Sequence, residues 1–313
     1  PDPTVAMMSI DLGAIGNQVS VPLSEYVVGC RVYGAQDTLQ LNSVTDANGV
    51  VSFVQPAVAN PNDANYHKRF GILEFSWTAG TSCANPSHVD FADVAVGLEM
   101  ITYSGARGGK MSVVGGLQGD AKARICEELR KVSSAQAPWS EGCLQSAAAG
   151  ITRVLAPNEV IAANPAAFEG YFNAHHQTIL ETYSKTALII KTGSGGSITC
   201  YTDPQSKMLH CDGVASVHFE PTAAEIFTCM GPFRQGSIEV MQMICAAYNR
   251  GTLLLDGGSV QPSLGRASYY TSPVHNAYAR AVHGQLANSQ GYAFAKDDIE
   301  ARPEDAQAGL VCT

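Results

Sequence analysis

The apolar positions change period along the chain. In residues 1–115 they fall in short runs rich in β-branched and aromatic residues, at 6–12, 26–33, 38–41, 50–54 and 70–78. Turn signals separate the runs, among them Asp46-Ala47-Asn48-Gly49 and an Asn/Pro/Asp loop at 60–65. Runs bounded in this way are predicted strands. One or two more strands are predicted within 88–100, and the Gly-rich stretch 105–119 turns the chain into a new region. From there the spacing lengthens. Ala123, Ile125, Cys126 and Leu129 recur near helical intervals and predict a helix over 121–132.

Asn164-Pro165 reads as a helix start, with asparagine as cap and proline in the first turn. Phe168, Tyr171, Phe172, His175, Ile179, Leu180 and Tyr183 follow as an apolar stripe. A strand is predicted at 186–191, then a hairpin of 198–201 and 208–211 about Asp203-Pro204. Cys200 and Cys211 sit near the ends of that hairpin and are the best disulfide pair. Further helices are predicted at 221–228, from the cap Ser237 to Asn249 with Gly251 as stop, and at 276–286. A short strand is predicted at 292–294. Strands first, helices next and a mixture last predict a mainly β fold with an α/β part inserted into it or packed against it.

Composition narrows the function classes. The 313 residues suit one large domain or two ordinary ones. Hydrophobic residues at 45% against charged residues at 15% exclude a disordered chain. A net charge of −9 argues against nucleic acid and against anionic membranes as partners, since both need a basic surplus. A neutral ligand fits better. No apolar run reaches the ~18 residues of a membrane span. The opening Pro1-Asp2-Pro3, without an initiator Met, is read as a processed secreted chain. The nine cysteines agree with export. No two have the C-x₂₋₄-C spacing of zinc ligands, and none has an activating partner for catalysis. Disulfides are expected, with at least one thiol left over. Neither metal nor cofactor is expected.

The segment 70–78 carries the candidate chemistry. Side chains alternate across a strand. Leu73, Phe75 and Trp77 share one face and are expected in the core; Ile72, Glu74, Ser76 and Thr78 share the other. A second strand, His88-Val89-Asp90-Phe91, is expected to turn Val89 and Phe91 inward and His88 and Asp90 outward. If the two strands pair, Glu74 and Asp90 lie on one surface. Two carboxylates held on a rigid surface are the minimum kit for glycoside hydrolysis, one protonated to donate and one ionised to activate water or attack. Their repulsion helps to separate their pKa values. Plain solvation of a half-exposed strand produces the same alternation.

These residues also carry a resemblance. Leu73-Glu74-Phe75-Ser76-Trp77-Thr78, Ala84-Asn85-Pro86-Ser87-His88-Val89-Asp90-Phe91 and Val94-Ala95-Val96-Gly97-Leu98 resemble glycoside hydrolase family 64. The likeness continues in order through the blocks 219–233, 246–254, 269–270, 276–283 and 291–299, covering nearly the whole chain. It implies a secreted β-1,3-glucanase releasing laminaripentaose-sized products by inversion. It also implies a thaumatin-like β-barrel or sandwich domain beside a mixed α/β domain, with a wide groove between them. Residues 1–115 would begin the barrel, 116–185 and 220–290 would form the α/β domain, and 186–219 and 291–313 would return to the barrel. By position, Glu74 would be the general acid and Asp90 the general base. Ser76, Thr78, Asn85 and His88 are candidate contacts to sugar hydroxyls. Cys83 departs from the family pattern, standing where an aromatic platform is expected.

The implied partner is a β-1,3-glucan such as laminarin, curdlan or cell-wall glucan, bound by a monomer. The rival reading is a non-catalytic, thaumatin-like β-glucan-binding protein. Other features read blandly. His175-His176 lacks the i, i+4 spacing of a metal pair. Gly193-Ser194-Gly195-Gly196-Ser197 lacks the ending of a phosphate loop. Asp297-Asp298 suits loop capping better than calcium. No Gly-x-Ser-x-Gly elbow is present.

Overall fold

The computed structural model describes residues 10–13, 16–101, 111–147, 150–300, 307 and 310–312. Eight strands come first: β1 (Val27–Ala35), β2 (Asn42–Thr45), β3 (Val51–Val54), β4 (Phe70–Trp77), β5 (Ser82–Ser87), β6 (Phe91–Ala92), β7 (Leu98–Ile101) and β8 (Met111–Val114). Helix α1 (Ala121–Val132) follows, then β9 (Cys143–Ser146), β10 (Gly150–Leu155), α2 (Pro157–Ala163) and α3 (Asn173–Tyr183). Next come β11 (Leu188–Lys191), β12 (Ser197–Asp203), β13 (Met208–Cys211) and β14 (Val214–His218). The chain ends with α4 (Ala223–Thr228), α5 (Ile238–Arg250), β15 (Val260–Gln261), α6 (Ala277–His283) and β16 (Val311–Cys312).

The fold is mainly β with some helices. The strands form a four-stranded sheet β1-β4-β5-β16, a three-stranded sheet β6-β10-β9, a five-stranded sheet β14-β13-β12-β11-β15, and the hairpins β2-β3 and β7-β8. None of these sheets closes into a barrel among the described residues. No described helix is long and apolar enough to cross a membrane.

Local chemistry explains the best-placed elements. Ser237 caps α5 by accepting from Val240 N, and Gly251 ends it in the left-handed conformation at φ 68°. Thr222 and Glu225 form a reciprocal capping box at α4. Asp46 Oδ1 accepts from the amides of Asn48 and Val50 and closes the β2-β3 turn.

Other expectations shift. The strand expected at 38–41 forms at Asn42–Thr45 instead, and 292–294 contributes one bridge, from Tyr292 to Ser87. Of the strand expected at 6–12, residues 6–9 lie outside the described set and 10–12 have no regular structure. Asn164 does not start a helix; it ends α2, and Phe168 adopts φ 62°, which breaks the helical run until α3. In the stretch 105–119, residues 105–110 lie outside the described set.

Four disulfides join described residues: Cys83–Cys312, Cys126–Cys143, Cys200–Cys211 and Cys229–Cys245. The hairpin pair Cys200–Cys211 is the one expected, its residues directly opposite across β12 and β13. Cys83 is therefore a staple that holds β16 on the edge of β5, not a vacant sugar platform. Among the described residues Cys30 keeps a free thiol.

The β4 face reading reverses. Phe70 (0% exposed) and Ile72 (5%) are the buried side chains of this strand, and they share the face of Glu74. Leu73, Phe75 and Trp77 lie half-buried on the other face, where Trp77 packs edge-on against Tyr26. The cause is the layer laid over the Glu74 side. Phe91 of β6 packs against Phe70 at 4.9 Å between ring centroids, and the Arg153 guanidinium lies 5.0 Å and 5.1 Å from the Phe70 and Phe91 centroids.

That layer is held by Asp93, whose side chain is fully buried. It pairs with Arg69, with Lys122 at 3.0 Å and with Arg153 at 3.6 Å, and it accepts from the Phe70 amide at 3.2 Å. Arg153 also donates to the carbonyls of Val58, Tyr66 and Lys68. One carboxylate thus joins β4, α1, β10 and the segment after β6. Removing one partner from a buried ionic cluster leaves uncompensated charge and typically costs 3–5 kcal/mol. Asp93→Ala is expected to lose about that much by urea unfolding, as a lower midpoint at unchanged slope. A loss under about 1 kcal/mol would show that the cluster does not hold the layer.

Candidate active site

Glu74 stands where the buried run of β4 meets solvent. Its neighbours across the sheet are fixed by register: Arg31 on β1 and Asn85 on β5 lie directly opposite it. Directly opposed residues of antiparallel strands share a face. Arg31, Glu74 and Asn85 therefore form one row across three strands. Arg31 Nε donates to Glu74 Oε1 at 2.9 Å and Nη2 lies 2.7 Å from the same oxygen. Its Nη1 faces Asp90 Oδ2 at 3.8 Å and donates to Gln55 Oε1. One guanidinium thus reaches both carboxylates.

Asp90 reaches this position by a bend, not by the strand expected at 88–91. The partner strand of β4 is Ser82–Ser87, and the chain turns at Val89-Asp90 before β6. The Ala156 amide donates to the Asp90 carbonyl at 2.9 Å and ties the bend to the start of α2. From α2, Asn158 Nδ2 donates to Asp90 Oδ1 at 3.4 Å. Burial raises the pKa of Asp90; Arg31 opposes that rise and the charge of Glu74 adds to it. Burial alone would lower Arg31, but the carboxylates of Glu74 and Asp90 leave it raised.

The remaining candidates separate. Asn85 is buried at 7% exposure, in the row with Glu74, and donates to the Pro86 carbonyl at 3.4 Å. Ser76 shares the Glu74 face, and its Oγ accepts from the Gly29 amide at 3.0 Å. Gly29 makes that approach in a β1 bulge at φ 67°, a conformation that favours glycine. Thr78 is exposed beyond the strand, where its hydroxyl closes a turn with Thr81. His88 does not point outward with Asp90. It is 3% exposed, its amide donates to the Tyr292 carbonyl, and its carbonyl accepts from Tyr278 OH at 2.7 Å. Burial, with His283 adding to it, pulls the His88 imidazolium down to about 4. The bend that turns Asp90 toward Arg31 breaks the alternation that would have put both side chains on one face.

Three residues of this site were missed in the sequence: Arg31, Asn158 and Glu159. Asn158 Nδ2 also donates to Glu159 Oε1 at 3.2 Å, so a third carboxyl adjoins the pair. Two signals were available. Arg31 is a lone charge in the apolar strand 26–33, and Ala156-Pro157-Asn158-Glu159 has proline at the first helical position with an acidic residue in the first turn. Neither signal names a partner, because the contacts span 43 residues from Arg31 to Glu74 and 68 from Asp90 to Asn158.

Comparison with known proteins identifies the family and the fold. The glycoside hydrolase 64 family model, described as Beta-1,3-glucanase, matches residues 1–313. Glucan endo-1,3-beta-glucosidases of Cellulosimicrobium cellulans and of Arthrobacter sp. (strain YCWD3) are each 33% identical over 86 residues, 26% of this chain and 15% of theirs. The match thus spans a small part of each relative. The fold is similar to that of a laminaripentaose-producing β-1,3-glucanase solved with laminaritetraose: TM-score 0.74, 24% identity, 91% of this chain and 75% of the other. It is also similar to a β-1,3-glucanase domain from Clostridium beijerinckii: TM-score 0.72, 20% identity, 92% of this chain and 72% of the other. The chain belongs to glycoside hydrolase family 64, the β-1,3-glucanase family.

Proposed function

We propose that the protein is a secreted, monomeric β-1,3-glucan hydrolase that inverts the anomeric centre, with Glu74 as general acid and Asp90 as general base. The observation that carries this reading is Arg31 lying against both carboxylates at once. The four disulfides support export to an oxidising compartment. The reading includes a thaumatin-like arrangement in which residues 1–115, 186–219 and 291–313 face an α/β part of 116–185 and 220–290 across a substrate groove. Within it, Asn85 and Ser76 share the acid's face and offer polar groups to sugar hydroxyls. Thr78 contributes only at the rim, and His88 acts from behind Asp90.

The chemistry needs two carboxyls in opposite states. Glu74 gives its proton to the glycosidic oxygen as the C1–O bond breaks. Asp90 takes a proton from water as the water oxygen bonds to C1 from the other face. Arg31, which faces Asp90 Oδ2 at 3.8 Å, stabilises the charge on that base.

General acid–base groups contribute roughly 10²–10⁴-fold. Glu74→Gln and Asp90→Asn are each expected to cut reducing-sugar release from laminarin and curdlan by about that factor while keeping the wild-type melting temperature. NMR of the first-formed anomer should show the α form. Wild-type rates in both variants would overturn the roles, and binding of curdlan with no sugar release by the wild type would favour a binding protein.

Arg31→Met gives a separate test. Arg31 lowers the pKa of Asp90, so losing the cation raises it. Asp90 must be ionised, so the acid limb of the pH–rate profile is expected to move up by about 1–3 units. A fall in rate with that limb unmoved would show that Arg31 is a scaffold only.

A further inference from the structure

Asp90 has a second neighbour that the proposed reaction does not use. The Asn158 amide nitrogen lies 3.4 Å from Asp90 Oδ1 and 3.2 Å from Glu159 Oε1. An amide nitrogen carries two hydrogens. With one on each carboxyl, its donating capacity is filled and its plane is fixed. We propose that Asn158 and Glu159, at the start of α2, are positioning residues for Asp90: the Glu159 carboxyl orients the Asn158 amide, and the amide fixes one oxygen of the base. This inference rests on the role of Asp90 proposed above.

The surroundings leave Asp90 and Glu159 as the interacting pair. From β1, Arg31 reaches Glu74 and Asp90. From β4, the Glu74 charge bears on Asp90, as does that of Arg31. From α6, Tyr278 OH donates to the His88 carbonyl, and burial first, then Asp90 and Glu159, raise it well above its usual value, so it stays protonated. Tyr33 is likewise raised by burial. The charged groups of the other elements against α2 are engaged elsewhere. Glu225 of α4 is held in its capping box, Glu141 of the 3₁₀ turn Trp139–Gly142 accepts from Asn164, and Arg153 of β10 serves Asp93.

Glu159 is half-buried, and burial, with Asp90 adding to it, pushes it up to about 7. It therefore holds the proton that Asp90 is spared. As the pH rises through 7, Glu159 ionises. Its charge then competes for the Asn158 amide and raises the proton affinity of Asp90.

The test combines kinetics on laminarin with a ¹³C NMR titration of the Asp and Glu carboxyls in the sugar-free protein. Asn158→Ala is expected to raise the pKa of Asp90 and to lower kcat about 10- to 100-fold with KM little changed, the worth of one hydrogen bond to a charged group. Glu159→Ala should do the same in part, and Glu159→Gln, which keeps an acceptor for the amide, should recover most of that loss. In the wild type the Asp90 resonance should show a second, small inflection near 7, absent in Glu159→Gln. An unmoved Asp90 titration in Asn158→Ala would overturn the proposal, as would equal losses in Glu159→Ala and Glu159→Gln. If the wild type releases no sugar from laminarin, the hydrolase reading fails, and the carboxyl titrations alone still decide the link from Glu159 to Asp90.

Discussion

The site depends on a carboxylate that takes no part in it. Asp93 is fully buried and gathers Arg69, Lys122 and Arg153. A buried ion is tolerated only when its partners replace the lost water, and here they come from the residue before β4, from α1 and from β10. Three residues earlier in the same segment stands Asp90. Three residues of extended chain span at most about 10 Å, so the cluster that anchors Asp93 also limits where Asp90 can be. Gly71 adds to the constraint: a Cβ there would lie 2.4 Å from the Val94 carbonyl oxygen, so β4 approaches the chain after Asp93 more closely than a side chain allows.

At the site the charge balance is inverted. Glu74, Asp90 and Glu159 are three carboxyls, and Arg31 is a cation in contact with the first two. Arg31 touches Glu74 and Asp90; Glu159 has the Asn158 amide instead. Repulsion in a half-buried space makes joint ionisation of Asp90 and Glu159 unfavourable, and burial with the charge of Asp90 pushes Glu159 up to about 7.

Much of the frame was legible in the sequence. Period and caps located β4, α1 and α5 because those signals are local: alternation, helical spacing, Ser237 before and Gly251 after. β5 was missed because Asn85-Pro86 reads as a break, yet Pro86 sits in a paired strand and offers its carbonyl to the Tyr292 amide. Asn164-Pro165 failed in the opposite way: the same pair of signals marks the end of one helix when Phe168 takes a positive φ. The two carboxylates were legible as candidates from alternation and from the family pattern. Their shared cation was not, since a strand shows where Arg31 points only once its register to β4 is known.

The two clusters explain why the buried and the open halves of one sheet face are continuous. Phe70 is sealed by Phe91 and Arg153, Ile72 is buried beyond it, and Glu74 is the next residue on that face. A carboxylate at the mouth of a dry layer gains strong coupling to its neighbours while keeping access to solvent. Moved two residues inward it would take the buried position of Ile72; moved two outward it would occupy the position of Ser76, beside the Gly29 bulge. The sealed layer ends at Glu74, the bend after β5 brings Asp90 near it, and the first turn of α2 meets Asp90 through Asn158. Segments distant in sequence therefore converge on Asp90, β1 through Arg31 and α2 through Asn158, while Asp93 anchors its own segment three residues on.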